Sequence, residues 1–203
     1  MKIKPTLKRE KELWDEGLSH IGGIDEAGRG AWAGPVVASV VVFSPDHTQI
    51  DGVGDSKLVS IKKREELYFK ILEEAKDFGV GVINNQIIDD IGIGEATKMA
   101  FGKAVDMLSG KPDYLLVDAF GFDTECRIEP VIKGDQNIYS ISCASIISKV
   151  FRDNLMKNLD DVYEIYEFSD HKGYGTKKHQ DILATFGPCD LHRFSYRPIK
   201  GLL

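Results

Sequence analysis

Two apolar runs separated by a glycine-rich turn dominate the first quarter of this chain. The first, residues 21–25, ends on Asp25 with Glu26 next to it, and the second, residues 36–43, has the length of a buried strand. The turn at 28–30 reads Gly-Arg-Gly, and glycine adopts backbone conformations that other residues avoid. The pattern predicts two strands joined by a tight turn, with a pair of acids where the first strand ends.

The rest of the chain alternates short apolar runs with stretches of helical periodicity. The predicted strands are 21–25, 36–43, 80–83, 114–117 and a fifth that includes 131–132, and the predicted helices are 62–76, 95–108, about 142–159 and 178–186. Such an order favours an α/β fold with a mixed sheet. A length of 203 residues fits a single domain, 1–203, in which about 160–203 forms a C-terminal helical segment.

Composition excludes several classes of protein. The chain is 42% hydrophobic and 29% charged, which argues against disorder, and no apolar run is long enough to span a membrane. Its three cysteines are widely spaced and match no zinc pattern, so a reducing compartment is expected. These features predict a soluble, cytoplasmic protein.

Charge is distributed unevenly along the chain. A net charge of −6 argues by itself against a nucleic-acid partner. Residues 171–200, however, carry six Lys and Arg against two acids, a local charge of +4 that leaves −10 elsewhere. Such a basic segment suits phosphate binding, and an ordinary solvated face is the alternative.

Four acids stand where the ends of predicted elements converge. Neighbouring side chains on a strand point to opposite faces, so Glu26 is expected at the end of its strand or as a carbonyl ligand beside Asp25. Asp118 closes the run at 115–118, and ligands of open α/β sheets bind at such carboxyl ends. Asp135 precedes a helix, either as a cap or as a further member of the site. Carboxylates together suit hard divalent metals.

The long helix places polar side chains on one face. Ser145, Lys149 and Arg152 follow the spacing i, i+4, i+7. Cations on this face are expected to hold the acids ionised and to contact a substrate phosphate. An ion-paired surface helix is the alternative.

A second group of phosphate-binding candidates lies at 55–57. Ser56 and Lys57 follow a glycine-bearing loop and lead into a helix. A hydroxyl, an ammonium group and nearby amides suit a phosphate, although a simple helix cap explains the same residues.

One aromatic residue stands out in the basic segment. Tyr174 lies between glycines with cations on both sides, an arrangement that suits stacking on a sugar or base. Packing over the core is the alternative. His171 and His179 form no recognisable metal pair and are predicted to be surface histidines.

Taken together, these motifs resemble those of the ribonuclease HII family. The matching segments, in order, are GIDEAGRG (23–30), DSK (55–57), LLVDAF (115–120), KGD (133–135), CASIISKVFRD (143–153) and HKGYGT (171–176). The resemblance runs from about residue 14 to 200. Arginine between the turn glycines favours this family over ribonuclease HIII. Trp32, beside that turn, departs from the family pattern and leaves open whether substrate approach is altered.

The resemblance implies an RNase H-like fold and a set of functional residues. The implied catalytic and metal-binding residues are Asp25, Glu26, Asp118 and Asp135, which would hold two Mg²⁺ or Mn²⁺ ions. Gly28, Arg29 and Gly30 would contact the ribose 2′-hydroxyl, Tyr174 would stack on the sugar at the RNA–DNA junction, and Ser56, Lys57 and Lys149 would meet phosphates.

The implied reaction is hydrolysis of RNA in RNA–DNA hybrids, including nicking 5′ of a single ribonucleotide in duplex DNA. It would leave a 5′-phosphate and a 3′-hydroxyl. The enzyme is expected to be a monomer with no membrane partner. The alternative is a non-catalytic module that grips hybrids with a degenerate RNase H-like fold. That alternative predicts a missing acid, whereas all four are present in the sequence.

Overall fold

The computed structural model describes residues 4–54 and 59–202. The predicted phosphate-binding residues Ser56 and Lys57 lie outside the described residues.

A mixed sheet forms the centre of the molecule. Its strands are β1 (Ile21–Ala27), β2 (Val36–Val42), β3 (Asp77–Ile83), β4 (Tyr114–Asp118) and β5 (Arg127–Val131). Among the described residues the strand order is β3-β2-β1-β4-β5. The hairpin β1–β2 and the pair β2–β3 are antiparallel, whereas β4 is parallel to both of its neighbours. The predicted mixed α/β sheet is confirmed.

The register of the sheet brings two acids to one edge. Ile24 on β1 pairs with Val117 on the parallel strand β4. The next residues, Asp25 and Asp118, therefore lie side by side at the carboxyl ends of these two strands. This edge is where open α/β sheets bind their ligands.

Helices cover both faces of the sheet. They are α1 (Lys8–Asp15), α2 (Ile61–Glu74), α3 (Asn85–Asp106), α4 (Gly134–Asn137), α5 (Tyr139–Asp160), α6 (Phe168–His171), α7 (Lys177–Phe186) and α8 (Arg197–Lys200), with a 3-10 turn at Glu164–Tyr166. Sequence periodicity missed α1 and the first part of α3. Gly92, with a φ of 80°, kinks α3 and interrupts the helical periodicity of its sequence. No helix in the described ranges has the length and apolar content of a membrane span.

Two hydrophobic clusters pack against opposite faces of the sheet. Val41 on β2 joins Leu67 of α2 and Ile147 of α5 on one side. Val40, the neighbouring residue, packs with Phe101 of α3 on the other. Because both faces are covered, every residue of β2 is buried, and its sequence reads as a continuous apolar run.

Close contact between β1 and the start of α5 depends on a glycine. A Cβ placed on Gly23 would lie 2.3 Å from the carbonyl carbon of Ser140 and 2.4 Å from the nitrogen of Ile141. The helix therefore packs directly on the strand backbone. This packing brings the polar face of α5 next to the acidic end of β1.

We predict that Gly23→Ala lowers the free energy of unfolding by about 2–3 kcal/mol, because the methyl group overpacks the contact with α5. Gly102→Ala is the matched control. Gly102 lies in α3, where an added Cβ would meet no atom within 4 Å, so alanine there stabilises by about 0.5–1 kcal/mol. Urea denaturation of both variants measures the difference, and equal effects would contradict the close contact.

Candidate active site

A cavity of about 520 Å³ opens at the carboxyl ends of β1 and β4. It is lined by Asp25, Glu26, Ala27, Gly28, Arg29, Gly30, Asp118, Asp135, Ser145, Lys149 and Tyr174. The four acids, the Gly-Arg-Gly turn, Ser145, Lys149 and Tyr174 are all in this lining, whereas Arg152 is not. Residues separated by almost 150 positions in the sequence thus meet at one place.

Asp25 is the most deeply buried acid of the cavity. Its Oδ1 accepts a 2.7 Å hydrogen bond from the backbone N–H of Glu26, and the Ser145 hydroxyl donates to its carboxylate. Burial raises the pKa of Asp25 well above its usual value, and the neighbouring charges of Glu26 and Asp118 raise it further. A cation bound nearby would therefore stabilise the ionised form of Asp25.

Glu26 lies within β1 rather than beyond its end, paired with Ala38 of β2. It is the penultimate residue of the strand, at the end of β1 as expected, although β1 runs two residues further than the predicted 21–25. Its side chain still lines the cavity. Ala27 and Gly28 line it as well, so the cavity extends around the end of β1. Its Oε2 is buried and has no hydrogen-bond partner among the described residues. Burial raises the pKa of Glu26, and the guanidinium of Arg29 lowers it in part.

Asp118 is oriented by the loop that begins α4. Its Oδ1 accepts a 2.6 Å hydrogen bond from the backbone N–H of Gly134. The chain leaves β4 sharply after it, since Ala119 has a φ of 61°, a left-handed conformation that costs about 1–2 kcal/mol for a residue with a Cβ. A strained residue directly after a strand-end acid is typical of a functional site.

Asp135 lies inside α4 and is nearly buried. The helix-cap alternative is wrong for this residue, because the N-cap of the long helix α5 is Ile138 and that of α4 is Lys133, with a φ of 55°. Its carboxylate instead faces the shared cavity.

The four acids line the cavity without closing into a tight cluster. Within the described residues, no three acidic, histidine or cysteine side chains already meet the geometry of a bound metal ion. Carboxylates that share a cavity repel one another. The unpartnered Oε2 of Glu26 and the raised pKa of Asp25 nonetheless fit a cation, and an all-oxygen donor set is the type that Mg²⁺ and Mn²⁺ prefer.

The cations of α5 have different environments. Lys149 lines the cavity, where its Nζ lies 2.7 Å from Oδ1 of Asp153 and 5.3 Å from the ring centre of Tyr174. Arg152 is fully buried, and its guanidinium donates to the backbone carbonyls of Ala33, Pro35 and Lys172. The prediction that Arg152 faces a phosphate is therefore wrong, because the loop between β1 and β2 covers this turn of α5.

The Gly-Arg-Gly turn is built against this arginine. Gly28 has a φ of 96°, and a Cβ there would lie 2.0 Å from Nε of Arg152. The side chain of Arg29 lies over the ring of Phe120, 4.7 Å from its centre, with Nη1 3.4 Å from Oε1 of Glu26. At Gly30 a Cβ would meet no atom of the described residues within 4 Å, and Gly30 itself lines the cavity.

A second buried arginine, Arg193, fixes the same turn from the C-terminal segment. Its Nε and Nη2 donate to the carbonyl of Gly34 at 3.0 and 2.9 Å. Its Nη1 and the hydroxyl of Tyr196 both donate to the carbonyl of Arg29. The backbone of the turn is therefore held at two points.

The basic character of residues 171–200 is smaller than the sequence indicates. Arg193 is buried, Lys177 is paired with Asp181, and Lys178 is paired with Glu167 and Asp170. Acids outside the segment supply part of this compensation, which a local count of charge cannot detect.

Trp32 supports Tyr174 from outside the cavity. Its backbone N–H donates to the carbonyl of Gly173, and a Cβ on Gly175 would lie 2.2 Å from its indole ring. Trp32 is absent from the cavity lining. It packs against the two glycines on either side of Tyr174.

The histidines of the C-terminal segment are buried, so the surface interpretation of His171 and His179 is wrong. His179 and His192 are fully buried, and the rings of His171 and His179 stack with centres 4.1 Å apart. His192, which the sequence did not single out, completes the group. Aromatic side chains from other elements, among them Phe168, surround these rings, so local sequence carried no signal of burial. Burial lowers the pKa of His179 and His192 to about 4.

We predict that stability falls as the pH drops from about 6.5 towards 4. The unfolded chain binds protons at these histidines from about pH 6.5 downward, whereas the folded chain excludes them until about pH 4. The contribution is complete above pH 6.5 and declines by up to about 1.4 kcal/mol per pH unit for each group.

Urea denaturation of the wild type and of His179→Asn across this range separates the histidine contribution from that of the carboxylates. The stability difference between the two proteins should shrink as the pH falls. A difference independent of pH would contradict the lowered pKa.

Comparison with known proteins places the chain in a family. Residues 22–198 match the family model described as Ribonuclease HII. The chain is 52% identical over 197 residues to Ribonuclease HII of Clostridioides difficile (strain 630), a match that covers 96% of this chain and 75% of that protein.

Solved structures share the fold. The crystal structure of ribonuclease H2 from Pyrococcus horikoshii OT3 superposes with a TM-score of 0.75 at 26% identity, covering 90% of this chain and 96% of that one. Bst-RNase HIII in complex with Mn²⁺ superposes with a TM-score of 0.66 at 20% identity, covering 91% and 69%. The predicted RNase H-like fold is confirmed. The chain belongs to the ribonuclease HII family and is a ribonuclease H, a hydrolase that acts on RNA–DNA hybrids.

Proposed function

We propose that this enzyme cleaves by two-metal-ion catalysis and also nicks duplex DNA 5′ of a single ribonucleotide, leaving a 5′-phosphate and a 3′-hydroxyl. The observation that carries the proposal is one cavity whose wall combines four acids, the Gly-Arg-Gly turn and Tyr174. Hydrolysis needs the acids, and selection of a ribonucleotide needs a sensor of the 2′-hydroxyl beside them.

Asp25, Glu26, Asp118 and Asp135 are the proposed ligands of two Mg²⁺ or Mn²⁺ ions. Two such ions, when bound, activate a water and stabilise the leaving 3′-oxygen of an in-line displacement. The presence of Mn²⁺ in the related Bst-RNase HIII structure supports a divalent ion here. The non-catalytic alternative predicted the loss of an acid, whereas all four line the cavity.

The chain itself pre-orients these acids. Ser145 and the amide of Glu26 hold Asp25, and the amide of Gly134 holds Asp118. Pre-set ligands avoid reorganisation when the substrate arrives. Lys149, beside the acids, supplies positive charge for the phosphate, and its ion pair with Asp153 fixes its position.

A second part of the cavity lining, next to the acids, is proposed to select the ribose. Backbone groups at Gly28, Arg29 and Gly30 contact the 2′-hydroxyl, which only the RNA strand carries. Tyr174 stacks on the sugar at the RNA–DNA junction. Ser56 and Lys57 are proposed to bind phosphate on the strength of the family resemblance alone.

The organisation we propose is a single domain, 1–203, with about 160–203 as a substrate-binding segment. The hydrogen bonds from Arg193 and Tyr196 to the carbonyl of Arg29 support it, because they tie that segment to the Gly-Arg-Gly turn. We propose a monomer acting in the cytoplasm. Its three free cysteines agree with a reducing compartment.

We predict that the wild type nicks a labelled duplex with one ribonucleotide on its 5′ side, in Mg²⁺ but not in EDTA. Asp118→Asn should retain hybrid binding and lose cleavage by about 10³-fold or more, because a metal ligand is missing. Gel electrophoresis resolves the products, and an all-DNA duplex is the substrate control.

Asp123→Asn is the matched protein control, since it removes one exposed negative charge outside the cavity lining. It should cleave like the wild type. Near-wild-type cleavage by Asp118→Asn would remove that acid from the metal site, and a nick at another position would contradict the proposed specificity.

We predict that Mg²⁺ raises the melting temperature of the free enzyme. A ligand at about 100 times its Kd stabilises by about 2.7 kcal/mol, or roughly 5–10 °C for a chain of this size. The shift, measured by thermal denaturation without substrate, should be lost in Asp118→Asn and kept in Asp123→Asn. Equal shifts in both variants would place the cation elsewhere.

A further inference from the structure

A chain of hydrogen bonds runs behind the cavity to the backbone of Tyr174. The carbonyl of Tyr174 lies 3.0 Å from Nδ1 of His179. The Nε2 atoms of His179 and His192 are 3.0 Å apart. Nδ1 of His192 lies 3.0 Å from the backbone nitrogen of Cys189 and 3.2 Å from both the carbonyl oxygen and Sγ of the same residue. Both rings are fully buried, so water does not complete their hydrogen bonding.

The direction of these hydrogen bonds follows from the two ends of the chain. A carbonyl only accepts, so Nδ1 of His179 carries its proton and the Nε2 of that neutral ring is an acceptor. His192 must then donate from Nε2, and because a neutral ring carries only one N–H, its Nδ1 has no proton. That atom accepts the backbone N–H of Cys189, and in this tautomer its 3.2 Å contact with the Cys189 carbonyl is not a hydrogen bond. Each ring is thus held in one tautomer by its neighbours.

Neighbouring contacts fix the rest of the tyrosine turn. His171 accepts the backbone N–H of Gly173 at Nδ1 (3.2 Å), and its Nε2 donates to the carbonyl of Tyr166 (2.8 Å). The carbonyl of His171 accepts the backbone N–H of Tyr174. The peptide groups on both sides of Tyr174 are therefore bound to histidines, while its ring faces Lys149.

We propose that His179, held in a single tautomer by His192, is a positioning residue that fixes Tyr174 for stacking on the substrate sugar. This inference rests on the proposed role of Tyr174 in substrate binding. A stacking ring fixed before the substrate arrives loses less conformational freedom on binding, so the contribution belongs to substrate affinity. Within residues 4–54 and 59–202, Tyr174 is the one member of the cavity lining to which His179 is hydrogen-bonded.

Two substitutions of His179 separate the hydrogen bond from simple packing. Asparagine carries an amide N–H donor at the position of Nδ1, whereas leucine fills the space without a donor. We expect His179→Leu to raise KM for a ribonucleotide-containing duplex about tenfold with kcat within about twofold, and His179→Asn to stay within about threefold of the wild-type KM. Equal KM values for the two variants would overturn the proposal.

A double-mutant cycle with Tyr174→Ala tests whether His179 acts through the tyrosine. We expect His179→Leu to change KM less than about twofold in the Tyr174→Ala background. A full tenfold effect in that background would show a general structural role and overturn the inference. No effect of Tyr174→Ala alone would instead contradict the proposed function of Tyr174, so the two failures are distinguishable.

His192→Asn keeps the inference testable if His179→Leu does not fold. Asparagine there retains an acceptor for the N–H of Cys189 but removes the donor to His179, so one of the two contacts that fix the tautomer of His179 is lost. We expect KM to rise about threefold, and this rise to disappear in the Tyr174→Ala background. An unchanged KM in folded His192→Asn, checked by thermal denaturation, would overturn the role of the histidine pair.

Discussion

Two buried guanidinium groups, those of Arg152 and Arg193, hold the loop between β1 and β2 in place. A buried charge is costly unless polar groups surround it. Here backbone carbonyls do so, and they belong to Arg29, Ala33, Gly34, Pro35 and Lys172. Burial lowers the pKa of Arg152 to about 10, so the group is still charged at neutral pH. If the loop moved away, both buried guanidinium groups would lose hydrogen-bond acceptors. The Gly-Arg-Gly turn is therefore preformed beside the acids.

The two walls of the cavity are stabilised in opposite ways. Hydrogen bonds hold the loop wall in place, whereas the acidic wall brings like charges together: Asp25 has a raised pKa and Glu26 a buried, unpartnered oxygen. Rigid backbone suits recognition of a small group such as a hydroxyl, and uncompensated negative charge suits binding of a cation. In the proposed function the loop with the Gly-Arg-Gly turn selects the ribose, and the acids hold the metal ions that cleave the RNA strand.

Sequence patterns predicted the structure correctly where the signal is local. Apolar runs ending in acids predicted the edge that carries Asp25 and Asp118, and glycine at 28 predicted a turn that its positive φ confirms. The patterns failed where burial depends on distant segments. Arg152 has the predicted helical phase, yet the loop from β1 covers it, and His179 and His192 are enclosed by aromatic residues of other elements. Nothing in their own neighbourhoods distinguishes these side chains from surface cations.

The most direct test compares two affinities in a protein that binds without cleaving. In the Asp118→Asn background, the Kd ratio between an all-DNA duplex and the same duplex with one ribonucleotide measures recognition of the 2′-hydroxyl alone. Adding Arg193→Met removes the guanidinium hydrogen bonds to the carbonyls of Gly34 and Arg29 while keeping a side chain of similar length, and leaves the Tyr196 hydroxyl as the remaining donor to Arg29. We expect this ratio to fall towards one while affinity for the all-DNA duplex changes little. An unchanged ratio in a folded double variant would contradict the claim that the buried arginines hold the turn that recognises the ribose.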